Sequence, residues 1–290
     1  MIVYNPSAGR FTATRLKRVV RRLTDAGARV VVRATSERGD AEAFAAAASE
    51  TEFDVIVAAG GDGTIGEVVN GLAGKDLPLA LIPIGTANVL AEEIGLTADS
   101  QVVARTILSG EARRIHVGSV NGRRFLMMAG VGFDAHVVSR VSPFCKRVLG
   151  KGAYAIESLV GMLRFSYPVY RVTIDGRRFE AASVIIANGR HYGGRFVCAP
   201  GAALEDCRFE VCLFLRGGAW NVIRYGAGLL TGRLGRLPDV LMVTGTRIVV
   251  EGGPGEPVQC DGDASARLPL YATAGEKSLR LVMPGRPTGA

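Results

Sequence analysis

The sequence predicts an α/β N-terminal domain with a doubly wound, mostly parallel sheet, followed by a mostly antiparallel, β-sandwich-like C-terminal domain. Two observations carry this prediction: strands and helices alternate through residues 1–115, and hairpin signals replace the alternation through residues 116–290. Alternating elements form parallel sheets with right-handed crossovers, whereas short turns join antiparallel strands. We place the boundary near residue 115 and leave open whether the last strand returns to the first domain.

The first half is predicted to contain four strand–helix pairs. Apolar residues recur at helical spacing from Leu16 to Leu23, and Gly27 ends that helix. The predicted strands are Ile2–Tyr4, Ala28–Arg33, Asp54–Ala59 and Leu79–Ile82, and the predicted helices are Thr12–Ala26, Gly39–Ser49, Thr64–Leu72 and Thr86–Ile94. Ligands bind at the carboxyl ends of such strands, so the polar loops after them are candidate binding loops.

The second half is predicted to be mostly short strands. Asn121-Gly122 and Asp175-Gly176 each separate two apolar runs, a pattern typical of type I′ hairpins. The hairpin strands are 117–120 with 125–129 and 170–174 with 179–187, further strands lie near 208–215, 240–243, 246–251 and 278–283, and helices cover 151–165 and 221–231. Trp220 and Met127-Met128 are interpreted as packing residues.

Charged residues are distributed unevenly along the chain. Residues 1–115 carry 13 Lys/Arg against 14 Asp/Glu, and residues 116–290 carry 22 against 13, for a net charge of +8. The basic half fits an acidic partner, either anionic lipid or nucleic acid, or simply solvated arginines. No apolar run reaches about 18 residues, and the N-terminus has no signal-peptide layout, so we expect a cytoplasmic protein. The five cysteines form no metal-ligand spacing and are expected to be free and mostly buried.

The segment Gly60-Gly61-Asp62-Gly63-Thr64 is the strongest chemical signal. It follows an apolar strand and precedes a helical pattern, and glycines before a helix N-terminus typically bind phosphate. The carboxylate of Asp62 would repel phosphate unless a divalent cation lies between them. The segment lacks the Lys of a Walker A loop and the spacing of a dinucleotide fingerprint.

Three weaker patterns accompany this loop. Gly85-Thr86 before a helix offers backbone and hydroxyl donors to a nucleotide, or Thr86 is simply an N-cap. Asp261-Gly262-Asp263 supplies two carboxylates for acid–base or metal chemistry, or is a solvated turn. The stretch 199–206 is either a plain loop or a metal site built from one carboxylate and backbone carbonyls.

Taken together, these motifs resemble the diacylglycerol kinase catalytic family in its bacterial lipid kinase branch, which is similar to sphingosine and ceramide kinases. The motifs, in order along nearly the whole chain, are Asn5-Pro6-Ser7-Ala8-Gly9, Thr35 with Gly39-Asp40-Ala41, Gly60 to Thr64 with Glu67, Val68 and Asn70, Gly85-Thr86-Ala87-Asn88, Gly130-Val131-Gly132-Phe133-Asp134-Ala135, Asn188-Gly189 with Gly193-Gly194, Ala199-Pro200, and Asp261-Gly262-Asp263.

The resemblance implies an ATP-dependent kinase that phosphorylates a hydroxyl of a membrane lipid such as diacylglycerol, with ATP bound between two domains. It implies Asp261 as the general base and Asp62 as the residue that holds the catalytic Mg²⁺. A second, structural metal site would use the Asp206 side chain with the carbonyls of Ala203 and Arg208. The implied ATP contacts are Asn5, Thr35, Gly60, Gly61, Asp62, Gly63, Thr64, Ile65, Gly66, Thr86 and Asp263.

The chain departs from the family pattern at four positions. Asp263 replaces the usual Glu, Val89 replaces an Asp, Gly66 replaces an Asn, and Cys207 replaces a Gly. Two alternative functions therefore stay open: a soluble-substrate kinase of the NAD kinase type, which shares the Gly-Gly-Asp-Gly-Thr loop, and a nucleotide-binding regulator with impaired catalysis.

The expected partners are a lipid alcohol and an anionic membrane, contacted peripherally at its inner face. The segment 143–151 interleaves basic and apolar residues, and Ile156, Leu159, Val160 and Leu163 share one face of the helix after it. The same residues are also compatible with a core helix that has a solvated basic start. We expect no nucleic-acid binding, because no aromatic-basic module is present. Oligomeric state is left open, with a homodimer among the options.

Overall fold

The computed structural model describes residues 1–8, 12–140, 161–162 and 164–285. It divides the chain into two compact units. The first contains Met1–Ile115 and Lys277–Ala290, and the second contains His116–Glu276. The predicted basic-apolar segment 143–151 lies outside the described residues, as do residues 151–160 and 163 of the predicted helix 151–165.

The first unit alternates strands and helices along the chain. Its elements are β1 (Ile2–Tyr4), α1 (Thr12–Asp25), β2 (Val32–Ala34), α2 (Asp40–Ala47), β3 (Ile56–Gly60), α3 (Asp62–Gly71), β4 (Leu79–Pro83), α4 (Val89–Glu93) and α5 (Ser100–Ser109). The parallel strands are ordered β2-β1-β3-β4, and α1 contacts α5 while α2 contacts α3. This is the doubly wound arrangement that the sequence predicts.

The central strands of the first unit are buried on both faces. Every residue of β3 and β4 is buried, which explains why their sequences are continuous apolar runs rather than alternating ones. The end of the final strand, β18 (Leu270–Met283), pairs in parallel with β4 through Leu281 and Leu79. The polypeptide therefore returns to the first unit after completing the second.

The second unit is antiparallel, as predicted. Its elements are β5 (Glu111–Val120), β6 (Arg123–Phe125), β7 (Met128–Val131), α6 (Phe133–Arg140), β8 (Tyr170–Ile174), β9 (Arg177–Ala181), β10 (Ser183–Ala187), β11 (His191–Tyr192), β12 (Phe196–Val197), β13 (Phe209–Phe214), α7 (Ala219–Leu230), β14 (Val240–Gly245), β15 (Arg247–Glu251), β16 (Pro257–Cys260) and β17 (Asp263–Arg267). One sheet has the order β14-β13-β10-β7-β16-β17, and a second set pairs β18 with β15, β15 with β8, and β8 with β9. A shared apolar core that includes Phe125, Tyr170 and Phe209 contains residues of both sheets.

Both predicted hairpin turns are confirmed. Asn121 and Gly122 have φ of 50° and 85°, and Asp175 and Gly176 have φ of 45° and 83°. Positive φ at both central residues is the type I′ geometry, which Asn-Gly and Asp-Gly favour. The predicted long strand 179–187 is in fact two strands, because the chain leaves one sheet at Ala181 and enters the other at Ser183.

Four other predictions are wrong in detail. The second strand covers Val32–Ala34 instead of Ala28–Arg33. The third helix begins at Asp62 instead of Thr64, so three of the five residues of the glycine loop belong to the first helical turn. The fourth begins at Val89 instead of Thr86. Trp220 does not pack in the core, because 73% of its surface is exposed, whereas Met127 and Met128 are buried as predicted.

Candidate functional site

Polar loops meet at the carboxyl edge of the parallel sheet in the first unit. Thr35, Asn5 and Ile84 each donate a backbone N–H to a carbonyl of the neighbouring strand end, at 2.8, 2.9 and 3.2 Å. These residues follow β2, β1 and β4, and the Ile84 acceptor is the last residue of β3, Gly60. The loops after all four strands therefore lie side by side in sheet order.

A side-chain bond connects the two central loops. Asn5 Nδ2 donates to Thr64 Oγ1 at 3.1 Å, while Asn5 Oδ1 accepts the N–H of Ser7 at 2.8 Å. In the order β2-β1-β3-β4 the winding reverses between β1 and β3, and ligands of doubly wound sheets bind at that reversal. Asn5 and the glycine loop occupy this position.

Two glycines let the loops after β3 and β4 touch. A Cβ on Gly85 would overlap the Cα of Gly61 and lie 3.2 Å from its nitrogen. Asn88 holds the second loop, since its side chain accepts the Gly85 N–H at 2.8 Å and donates to the Gly85 carbonyl at 2.9 Å. Any side chain at Gly85 would push the loops apart.

The start of α3 is suited to an anion. Its N-cap residue is Gly61, which has no side chain with which to cap the helix. Gly60 is tightly packed, because a Cβ there would overlap the Thr64 side chain. Helix N-termini of this kind direct N–H groups and the positive end of the helix dipole toward a ligand.

Asp62 lies at two helix N-termini. It is the first residue of α3, and its Oδ1 accepts the N–H of Val89, the first residue of α4, at 2.7 Å. Both helix dipoles stabilise a negative charge here. The contact gives Asp62 a structural role in addition to any role with a cation.

One basic residue at this edge was missed by sequence reasoning. Arg15, in the first turns of α1, is half-buried and donates from Nη1 to the carbonyl of Pro83, the last residue of β4, at 3.0 Å. The bond fixes a positive charge beside the loop that follows β4. Only the sheet topology places α1 and β4 together, so no local signal could have found it.

The remaining predicted nucleotide residues of the first unit differ in exposure. Ile65 is buried in the core and its N–H is donated to the Gly61 carbonyl, so its side chain packs. Gly66 faces open space, since a Cβ there would meet nothing within 4 Å, and Thr86 is exposed. The loop after Thr35 is ordered by Asp40, whose pKa is lowered by hydrogen bonds from Ser36 and Glu37.

In the second unit, Asp261 is held by a cradle of backbone donors. Its Oδ2 accepts the N–H of Leu126 at 2.7 Å, and its Oδ1 accepts those of Met127 and Met128 at 2.8 and 3.1 Å. Asp261 and Gly262 form the turn between β16 and β17, with φ of 50° and 82°. The cradle holds the carboxylate in one orientation.

A buried polar network supports this turn. Gln259 Oε1 accepts the Gly262 N–H at 2.9 Å, and Gln259 Nε2 donates to Asp134 Oδ2 at 2.8 Å. Tyr192 donates its hydroxyl to the other oxygen of Asp134. Burial raises the pKa of Asp134, although both hydrogen bonds oppose the shift. Asp134 belongs to one of the motifs that resemble the family, but no role was predicted for it from the sequence. Its position in an apolar stretch could have indicated a buried acid.

The other site residues predicted in the second unit are Asp263, Ala203, Asp206 and Arg208. Asp263 pairs with Cys260 across the turn. Asp206 donates its N–H to the carbonyl of Ala203 at 3.0 Å, and its Oδ2 lies 3.3 Å from Arg208 Nη2. Within the described residues, no cluster of three or more His, Cys, Asp or Glu side chains is placed to hold a metal ion.

Comparison with known proteins identifies both units. Residues 1–120 match the family model described as the diacylglycerol kinase catalytic domain, and residues 127–283 match the YegS C-terminal NAD kinase beta sandwich-like domain. A diacylglycerol kinase of Bacillus subtilis is 30% identical over 289 residues, covering 98% of this chain and 95% of that protein. A probable lipid kinase YegS-like protein of Pseudomonas aeruginosa is 38% identical over 200 residues, covering 65% of this chain and 64% of that protein.

Solved structures agree with the fold. The chain superposes on a diacylglycerol kinase of Bacillus anthracis with a TM-score of 0.78 and 26% identity, over 99% of this chain and 96% of that one. Because the match is full-length in both sequence and structure, the chain belongs to the diacylglycerol kinase catalytic domain family and is a lipid kinase.

Proposed function

We propose that this kinase uses ATP and Mg²⁺ to phosphorylate a hydroxyl group of a membrane lipid, with diacylglycerol as the leading candidate. The observation that carries the proposal is the loop assembly at the carboxyl edge of the first unit, where Gly61 and Gly85 approach each other beside the uncapped start of α3. Relatives named diacylglycerol kinase support the acceptor class.

The first unit is proposed to bind the ATP phosphates. The glycine loop and the N-terminus of α3 would accept the phosphate oxygens, because backbone N–H groups and a helix dipole stabilise negative charge without bulky side chains. Arg15, held against Pro83, adds a fixed positive charge to this edge. Thr35, Asn5 and Thr86 would contact the rest of the nucleotide.

Asp62 fits a role in holding Mg²⁺. Mg²⁺ usually keeps several waters and takes one or two carboxylates together with substrate phosphates, so a single Asp is sufficient protein ligation. When bound, the ion would neutralise phosphate charge during transfer. The second metal site at Asp206 stays a prediction, and the Arg208 guanidinium supplies positive charge next to that carboxylate.

The second unit is proposed to supply the base. Asp261 would take the proton of the lipid hydroxyl as the lipid oxygen forms a bond to the γ-phosphorus and the bond between that phosphorus and the ADP oxygen breaks. The backbone cradle holds the carboxylate in one orientation, which favours a positioned acceptor. The base role is tested with Asp261→Asn, whose stability and turnover are compared with those of wild type.

The acceptor class is tested with labelled ATP. Wild-type enzyme with mixed lipids is expected to move label into the organic phase, whereas NAD in place of lipid should yield no labelled NADP. Labelled NADP alone would establish the soluble-substrate alternative, and nucleotide binding without turnover on any acceptor would establish the impaired regulator.

The metal assignment is tested with Asp62→Asn. The Asn side chain can still accept the Val89 N–H through its oxygen, so the fold should be retained while the charge is lost. We expect kcat/KM to fall by roughly 10²-fold or more. Asp25→Asn, at an exposed residue near the end of α1, is the matched control and should behave like wild type. Full activity in the Asp62 variant would remove Asp62 from the metal site.

A further inference from the structure

Helix α7 presents an apolar stripe to solvent. Trp220, Ile223 and Leu230 are exposed by 73%, 51% and 65%. With the exposed Ala227, they lie at helical spacing and fall within an arc of about 80° at 100° per residue. An exposed apolar face of this kind marks an interaction surface more often than scattered single residues do.

The opposite side of α7 is fastened to the second unit. Tyr225 is buried, packs against Phe214 with ring centroids 5.0 Å apart, and donates its hydroxyl to Asp239 at 2.8 Å. Arg224 also pairs with Asp239. The helix is therefore held by one side, and its outward stripe is a fixed feature of the surface.

Apolar exposure is concentrated around this helix. Of the eleven large hydrophobic residues that are exposed among the described residues, five fall between positions 215 and 241, namely Leu215, Trp220, Ile223, Leu230 and Leu241. That stretch is less than a tenth of the chain, so the clustering is local to α7 and its flanks.

The exposed charge that flanks the stripe in sequence is positive. The one carboxylate in residues 215–241, Asp239, is buried and paired with Arg224. Residues 215–237 contain four arginines and no Asp or Glu. Arg216, Arg233 and Arg236 are exposed. An apolar helix face that carries Trp and is flanked by arginines is typical of helices that lie in the interface of an anionic bilayer. Contact between two copies through this face would oppose arginine to arginine, which disfavours a symmetric dimer here.

We propose that the outward face of α7, with the flanking arginines, docks on an anionic phospholipid bilayer. The proposal rests on the proposed function in that the substrate lies in such a bilayer. It assigns docking to a segment different from residues 143–163, from which the sequence predicts membrane contact. Trp220 and Ile223 would enter the headgroup region, and Arg233 and Arg236 would contact lipid phosphates.

The single tryptophan of the chain makes the test direct. Trp220 is the only Trp, so its fluorescence reports this face alone. Adding phosphatidylglycerol vesicles to the full-length protein should shift its emission to the blue, and pure phosphatidylcholine vesicles should shift it much less. Vesicle sedimentation without a shift would overturn the proposal. A shift that depends on protein concentration without lipid would also overturn it, in favour of a second copy.

Variants separate the apolar and electrostatic contributions. Trp220→Ser with Ile223→Ser should weaken vesicle binding by about tenfold or more, and the Arg233→Gln, Arg236→Gln pair should weaken it and reduce its salt dependence. The controls are Leu108→Ser, at an exposed apolar residue of α5, and Arg178→Gln, at an exposed arginine of β9, which should bind like wild type. If the two double variants bind vesicles as well as the two control variants do, the proposal is overturned.

Activity on detergent-dispersed diacylglycerol distinguishes the two proposals. The Trp220→Ser, Ile223→Ser enzyme should phosphorylate dispersed lipid within about twofold of wild type, because neither residue is placed in the catalytic machinery. If wild type phosphorylates dispersed lipid but Trp220 shows no shift on anionic vesicles, the docking face is wrong and the kinase function stands. If Trp220 shifts but no lipid is phosphorylated in any form, the function fails and the docking face stands.

Discussion

Replacing Asp261 should destabilise the second unit before any effect on chemistry is considered. Its carboxylate accepts three N–H groups from residues 126–128, which are only 2%, 3% and 6% exposed. A hydrogen bond to a charged group contributes about 1.5–3 kcal/mol, and a buried donor left unsatisfied costs about 1–3 kcal/mol. Asp261→Ala removes all three acceptors, so we expect it to lose roughly 3 kcal/mol or more of unfolding free energy.

Asp261→Asn is not a neutral isostere in this cradle. Its one oxygen can keep the Met127 and Met128 bonds, but its NH₂ group would then face the Leu126 N–H, donor against donor. The loss should be about 1–3 kcal/mol, or roughly 2–4 °C in Tm for each kcal/mol. Glu205→Gln, at an exposed residue of the same unit, should stay within about 0.5 kcal/mol of wild type.

Urea unfolding followed by circular dichroism gives the stability order, which should be wild type, then Asn, then Ala. An Asn variant as stable as wild type would refute the cradle argument. Turnover is then measured below the lowest Tm, so that only folded protein is compared. A loss of roughly 10²-fold or more in the folded Asn variant supports a base, whereas unchanged turnover would leave Asp261 with a structural role alone.

Three further predictions concern two glycines, one acidic side chain and two cysteines. Gly85→Ala forces a Cβ against Gly61 and should lower both the stability and the affinity for ATP. Gly66→Ala places its Cβ where nothing lies within 4 Å and should stabilise α3 by about 0.5–1 kcal/mol. Equal effects of the two substitutions in urea unfolding would contradict this reasoning. Burial raises the pKa of Asp134 above its usual 3.8, so the stability that its protonated form contributes is fully present below pH 3.8 and is lost as pH rises through the folded pKa. The stability of wild type should therefore fall relative to that of Asp134→Asn as pH rises above 3.8, and a constant difference would refute this. Maleimide should label the exposed Cys207 and spare the buried Cys260, because burial raises the pKa of the Cys260 thiol to about 12. Peptide mass spectrometry that finds Cys260 labelled and Cys207 unlabelled would contradict this burial pattern.

Periodicity made the first unit predictable. Strands β1, β3 and β4 are mostly buried apolar runs and most helices carry an apolar stripe, so their order follows from local patterns. The short strand β2 is exposed. The start of α3 was predicted two residues too late, because glycines disfavour helix by local propensity. In the structure Thr64 and Ile65 are buried, and the helix already begins at Asp62. Helix α5 was missed despite its Asp99 N-cap, which accepts two backbone N–H groups.

The second unit was predictable in class but less so in detail. Asp261-Gly262 was interpreted as a chemical motif or a solvated turn, but not as a hairpin turn, although Asp-Gly is a type I′ signal and the turn joins β16 to β17. The backbone cradle that holds Asp261 lies more than 130 residues away in sequence. Long-range hydrogen bonds of this kind leave no local pattern, and the same is true of Arg15 and Pro83.

The central claim is tested most directly by the stoichiometry of one reaction. Purified enzyme is given ATP, Mg²⁺ and diacylglycerol in phosphatidylglycerol vesicles, and ADP and phosphatidic acid are measured together over time. We predict one ADP for each phosphatidic acid, no product without Mg²⁺, and a rate at least about 10²-fold lower for Asp62→Asn. ADP without lipid phosphate, or lipid phosphate formed equally well by Asp62→Asn, would contradict the account.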